Sequence, residues 1–187
     1  MRIFVAGASG AIGRPLVAKL VEAGHEVTGM TSNPRNAAPI EAAGARAVVC
    51  DALDAAATSA AVGDAGAEVV ISQLTRLPKD YDPRTIDYGP TNQARGEGGH
   101  NLIEAARAAG ARRFVTQSLA FIYAPQGDWV KTEDAPPWTD PPEPFASGAG
   151  PALEHERETL ATAELEGLVL RYGFFYGPGT HYAADGS

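Results

Sequence analysis

The sequence predicts an α/β fold: a doubly wound parallel sheet with helices on both faces. Three observations carry this. Short apolar runs alternate with helical stretches from the first residues onward. The runs are near-continuously apolar, as strands covered on both faces must be, and do not alternate polar with apolar. A set of spaced glycines separates the first apolar run from the first helical stretch, the junction at which such sheets bind ligands.

Each element has its own local signal. "RIFVAG" is a short buried strand ending in glycine. "AIGRPLVAKLVEAG" places Ile12, Leu16, Leu20 and Val21 on one helical face, and Gly24 stops it. "HEVTGMT" gives a second strand, and "NPRNAAPIEAAG" a turn with a short helix. "ARAVVCD" gives a third strand, followed by the alanine-rich helix "ALDAAATSAAVGDAG" and a fourth strand, "AEVVISQL". In the long segment from Pro83 to Gly110, "NLIEAARAAG" is the clearest helix. "ARRFVTQSLAFIY" and "ELEGLVLRYGFFYG" hold the fifth and sixth strands. Between them, the prolines and glycines of Ala124 to Pro151 predict a long irregular loop, of the kind used as lids or binding loops. Its Trp129 and Trp138 either cover a substrate or pin the loop to the surface. One domain over residues 1–187 is expected, with the chain breaking off soon after the sixth strand.

Composition narrows the function classes. Fifteen basic and 23 acidic residues give a net charge of −8 among 187 residues, which argues against nucleic acid as a partner. It does not exclude an anionic cofactor, because backbone N–H groups at a helix start hold phosphate without net charge. Cys50 is the single cysteine, so no disulfide framework exists within the chain. His25, His100, His155 and His181 show no metal-ligand spacing. No stretch approaches the roughly 20 apolar residues of a membrane span, and a cytoplasmic protein is expected.

Gly7, Gly10 and Gly13 are spaced G-x-x-G-x-x-G between strand and helix. That junction needs a tight turn, close approach of backbone to a pyrophosphate, and close helix–strand packing, and a missing Cβ serves each need. Ser9, Ala11 and Ile12 complete the loop, and the helix beginning near Ala11 aims its free N–H groups at the anion. A dinucleotide is therefore expected. At the end of the second strand a carboxylate would bond the ribose of NAD; here stand Thr31, Ser32, Asn33 and Arg35. This set suits the extra 2′-phosphate of NADP, with NAD the alternative. Asp51 and Ala52 should lie near the adenine, and Ser72, Gln73 and Leu74 near the ribose and phosphates.

"VAGASGAIGRPLVAKLVEAGHEV", "NLIEAARAAGARRFVTQS" and "LEGLVLRYGFFYGPG" resemble the extended or atypical short-chain dehydrogenase/reductase superfamily, nearest to its NAD-dependent epimerase/dehydratase family. The resemblance implies a Rossmann-type fold binding NAD(P), with a C-terminal substrate region after the sixth strand that is missing here. It implies a small-molecule substrate bearing a hydroxyl or carbonyl group, and a pairing of copies through helices. It implies that Tyr172 and Gly173 approach the nicotinamide end, and that Asn92 and Arg95 support it from below. Family chemistry usually rests on a Ser/Thr after the fifth strand and a Tyr-x-x-x-Lys pair on the next helix. With that helix aligned on Glu156, the tyrosine position falls on Gly148 and the lysine position on Ala152. No Tyr-x-x-x-Lys occurs in the sequence.

Ser118 and Tyr123 remain as catalytic candidates, with Tyr172 and Tyr176 also near strand ends; His155 is expected to be solvated. Two main readings stand. One is an oxidoreductase or epimerase/dehydratase-like enzyme with a non-standard acid–base group. The other is an inactive NADP-binding sensor or regulatory protein. A redox-independent isomerase or lyase is a third.

Overall fold

The computed structural model describes residues 1–77 and 85–177. Its strands are β1 (Arg2–Ala6), β2 (Glu26–Thr31), β3 (Arg46–Val49), β4 (Val69–Ser72), β5 (Arg113–Leu119) and β6 (Glu166–Tyr172). All pair in parallel, in the order β3-β2-β1-β4-β5-β6. The helices are α1 (Gly13–Glu22), α2 (Ala37–Ala42), α3 (Ala55–Asp64), α4 (Gly89–Ala108) and α5 (Phe145–Ala161). The strand order reverses at β1. The ends of β1 and β4 therefore diverge into a crevice, the usual ligand position in such sheets.

The period-two alternation of β1 divides the core. Phe4 and Ala6 face Val62 of α3 and Leu102, Ile103 and Ala106 of α4. Ile3 and Val5 face Val17 of α1 and Ile40 of α2. Phe4, Phe114 and Leu102 are wholly buried, each contributing about 1.5–3 kcal/mol of transfer free energy. The alanines bring helices close to the sheet, so the core is thin and tightly seated.

Three boundaries differ from the sequence reading. α1 begins at Gly13, not near Ala11, because Gly7 to Ile12 are consumed by the turn. α4 extends ten or more residues ahead of "NLIEAARAAG", in spite of Gly96, Gly98 and Gly99. Glycine costs a helix about 1 kcal/mol against alanine, but here the space is needed. A Cβ on Gly98 would stand 3.0 Å from Cβ of Ala52, and one on Gly99 would overlap the His155 ring.

The third difference is the proline-rich loop, which ends at Pro144; α5 then runs through Pro151. Proline inside a helix removes the hydrogen bond to the carbonyl four residues earlier. That carbonyl belongs to Ser147, and it accepts instead from Nδ2 of Asn92 at 2.7 Å. A bond from α4 thus replaces the one lost in α5. His181 and the end of the chain beyond Gly177 lie outside the described residues.

Candidate functional site

The glycine loop is built by close approach. Gly7 has φ +77°, and a Cβ there would stand 2.5 Å from the carbonyl oxygen of Gln73 at the end of β4. A Cβ on Gly13 would collide with the Gly7 carbonyl oxygen, and the Gly10 N–H bonds that same oxygen at 3.0 Å. The loop is therefore held close against β4, in a turn that is possible only because Gly7 and Gly13 carry no Cβ. α1 has no side-chain cap and no acidic residue in its first turn, so its N-terminus is open to an anion.

A crevice opens beyond this loop at the carboxyl ends of β1 to β4. Gly7, Ser9, Gly10, Thr31, Ser32, Asp51, Ala52, Gln73 and Leu74 line it, so these expected contacts converge. Ala11, Ile12 and Gly13 lie outside the lining: Gly13 is packed beneath the loop and Ala11 faces solvent. Arg35 is exposed in a short turn (Pro34–Asn36), its N–H bonded to Asn33 Oδ1 at 3.0 Å. Ser9 Oγ and Thr31 Oγ1 meet at 3.1 Å, joining the loop to the end of β2. No carboxylate lies on β2 after Glu26 or in the turn that follows.

Sequence reasoning missed two arginines here. Arg14 bonds the Ser9 carbonyl through Nε at 2.8 Å and lines a second recess with Asn36 and Pro39. Arg76 reaches across the crevice, with Nη2 at 2.8 and 2.9 Å from the carboxylate oxygens of Asp51. Its own backbone is fixed, since its N–H bonds the hydroxyl of the buried Thr91. No motif marks Arg76. Only the position four residues past the end of β4 hinted at it.

At the far end, Gln73 Nε2 donates to the Tyr172 hydroxyl at 3.3 Å, bringing the ends of β4 and β6 together. Gly173 is exposed just beyond. Ser118 is buried on β5 with no hydrogen-bond partner for its Oγ. Tyr123 lies beneath the Arg171 guanidinium, 4.6 Å from ring centroid to Cζ, and Arg171 is itself clamped by the buried Glu156 at 2.6 and 3.0 Å. Glu156 holds the guanidinium well above its ordinary range. Trp129 is fully exposed and covers nothing, whereas Trp138 packs on Phe145 and pins the loop. Tyr176 is also exposed.

His155 is buried, not solvated as its sequence context suggested. α5 packs on β5, so its Nε2 meets Thr116 Oγ1 at 3.0 Å and its ring stands edge-on to Phe114. Burial pushes its pKa down, against the pull of Glu158. Among the described residues no group of His, Cys, Asp and Glu is arranged to hold a metal, and no helix is long and apolar enough to cross a membrane.

The NAD(P)H-binding family model matches residues 7–181. The chain belongs to that family. This NAD(P)H-binding protein is 47% identical over 188 residues to a 3-diazoavenalumate denitrifying reductase of a Streptomyces species, covering 100% of this chain and 60% of the relative. It is 30% identical over 163 residues to a UDP-glucose 4-epimerase of Mycolicibacterium smegmatis, covering 79% of this chain and 48% of that protein. Among solved structures it resembles a short-chain dehydrogenase/reductase superfamily protein from Agrobacterium tumefaciens with bound NAD, at 27% identity and a TM-score of 0.71, over 94% of this chain and 49% of the other. The chain thus spans about half to three fifths of the length of these relatives.

Proposed function

We propose that this chain is the cofactor-binding part of an NAD(P)H-dependent reductase acting on a small molecule with a carbonyl, hydroxyl or diazo group. The observation that carries it is the tight glycine loop of Gly7, Gly10 and Gly13, lying beside the uncapped start of α1 and leading into the crevice. The relatedness to a reductase with a diazo substrate adds the direction of the chemistry. When bound, the reduced nicotinamide supplies a hydride. Gly7 to Gly13 would receive the pyrophosphate on backbone N–H groups, Asp51 and Ala52 the adenine, and Gln73, Tyr172 and Gly173 the nicotinamide end. Ser118 Oγ is buried and unpaired on β5, outside the crevice lining, so it would act on the site only from beneath its floor.

NADP is the preferred cofactor. Ser32, Arg35 and Arg14 offer hydroxyl and guanidinium groups around the end of β2, and no carboxylate there would repel a 2′-phosphate. Titration of nicotinamide fluorescence decides this: NADPH should bind at least tenfold more tightly than NADH, and equal affinities would overturn the preference. Failure of both to bind would overturn the reading itself.

A second reading, an NADP-binding sensor without turnover, is favoured by one observation: the glycine and alanine at positions 148 and 152. NADPH binding with no oxidation by any carbonyl or diazo acceptor would support it.

A further inference from the structure

The place of the absent tyrosine and lysine on α5 is not vacant. Gly148 and Ala152 are both buried, one helical turn apart. A Cβ on Gly148 would stand 2.9 Å from Cδ1 of Tyr88 and 3.1 Å from its Cε1. The Tyr88 ring therefore lies flat against the glycine, in space that only the missing side chain leaves free. Tyr88 is the N-cap residue of α4. Seven residues on, two turns along the same helix face, comes Arg95.

Arg95 is only 5% exposed, and its Nε has no hydrogen-bond partner. Among the described residues no carboxylate pairs with it. A buried cation is costly without a counter-charge, so the Arg95 guanidinium favours negative charge developing close to it. Its place along α5 follows from two contacts that bracket it. Tyr88 meets Gly148, and four residues beyond Arg95, Gly99 meets His155, as the Cβ overlap there shows. Arg95 thus falls beside the turn that carries Ala152. Burial pushes the Arg95 pKa down, the nearby Tyr88 pulls it partly back up, and Arg95 adds to the lowering of the His155 pKa that burial begins.

We propose that Tyr88 and Arg95 of α4 form the acid–base pair of this site, facing Gly148 and Ala152 in place of the side chains that α5 lacks. The proposal rests on the reductase reading. Tyr88 is the catalytic residue: its phenol gives a proton to the substrate atom that gains an electron pair as the neighbouring carbon accepts hydride. The O–H bond of Tyr88 breaks and a bond from that proton to the substrate oxygen or nitrogen forms. Water then returns a proton to the phenolate. Arg95 is a positioning residue, whose guanidinium gains its counter-charge while Tyr88 is anionic. The pair has moved from one helix to its neighbour, and the small residues on α5 make room for it.

The test uses the whole chain with NADPH and 9,10-phenanthrenequinone as the probe carbonyl. Tyr88→Phe keeps the ring and removes the hydroxyl. It should lower kcat by about 100-fold or more, the usual range for general acid–base groups, with NADPH affinity within about twofold. Arg95→Met should lower kcat similarly, and Arg95→Lys should restore part of it. A Tyr88→Ala/Gly148→Tyr double variant, returning the phenol to α5, should recover turnover over Tyr88→Ala alone. Independently of turnover, bound NADP+ should slow nitration of Tyr88 by tetranitromethane, read by peptide mass. Wild-type kcat in Tyr88→Phe, or nitration unaffected by NADP+, would overturn the pair. Wild-type protein that binds NADPH and protects Tyr88 but leaves the quinone unreduced would count against the reductase reading, not against the location of Tyr88.

Discussion

At the residue scale, the most constrained positions are those where backbone meets backbone. Gly13 sits against the Gly7 carbonyl so closely that an added methyl group cannot be accommodated without moving the loop. Gly13→Ala should cost about 1–3 kcal/mol of overpacking, seen as a lower urea midpoint, and should abolish NADPH binding by fluorescence. Arg76 behaves differently. Its pair with Asp51 is exposed, and exposed pairs add little stability. Because the pair spans the crevice, Arg76→Ala should change NADPH affinity several-fold while leaving the thermal midpoint unmoved. Unchanged affinity would make the bridge incidental. The buried imidazole also links to pH. The pKa of His155 is lowered by burial, so the protein holds it neutral, and its contribution is complete above the unfolded value of about 6.5 and lost as pH falls below it. His100 runs the other way. Glu158 raises its pKa, giving stability below about 6.5 that is lost as pH rises, but this side chain is exposed and the effect is screened. The urea midpoint should therefore fall between pH 6.5 and 5, and the fall should shrink in His155→Leu.

At the element scale, α5 depends on its neighbours more than on its own propensity. Pro151 interrupts its ladder, and Asn92 supplies the missing donor to Ser147. Asn92→Ala should leave that carbonyl without its partner and cost about 1 kcal/mol, measured by chemical denaturation. The helix is also tied to β6 by Glu156 and Arg171, with Glu156 buried and Arg171 partly so. Removing one partner of such a pair leaves the other uncompensated. Glu156→Gln should cost about 2–4 kcal/mol, toward the low end for buried pairs because Arg171 keeps some access to water. A loss within experimental error would show that the amide keeps both bonds. The same logic explains α4. Its glycines weaken it as an isolated helix, but they let it lie against Ala52, Leu74 and His155, and this places Tyr88 and Arg95 along α5.

At the scale of the whole molecule, the parallel sheet presents its strand-to-helix loops at one end, and binding there is linked to global stability. A ligand that binds the folded state alone adds about 2.7 kcal/mol at one hundred times its dissociation constant. For a chain of this size that is a rise of about 5–10 °C in the thermal midpoint. NADPH should produce it, and NADH at equal concentration a clearly smaller one. Equal shifts would remove the case for NADP. The far edge of the sheet differs from its centre: Leu168 and Leu170 of β6 are 40% and 42% exposed, whereas the β1 apolar side chains are buried on both faces. The opposite edge strand is open too, with Val49 of β3 50% exposed, so cover is complete only at the centre of the sheet.

The sequence by itself determined the strand order's local ingredients and the phosphate cradle. Both rest on signals within a few residues: apolar runs, helix stops, and glycines where a Cβ would collide. It also showed that α5 carries neither tyrosine nor lysine at positions 148 and 152. Tertiary structure alone decided the rest. That Arg76 crosses to Asp51, that His155 is buried, that Asn92 repairs the break at Pro151, and that Tyr88 lies against Gly148 all join residues 25 to 60 positions apart. Such contacts depend on how helices are seated on the sheet. Seating is set by which side chains are small on both partners, a property of pairs of surfaces that no single stretch of sequence displays.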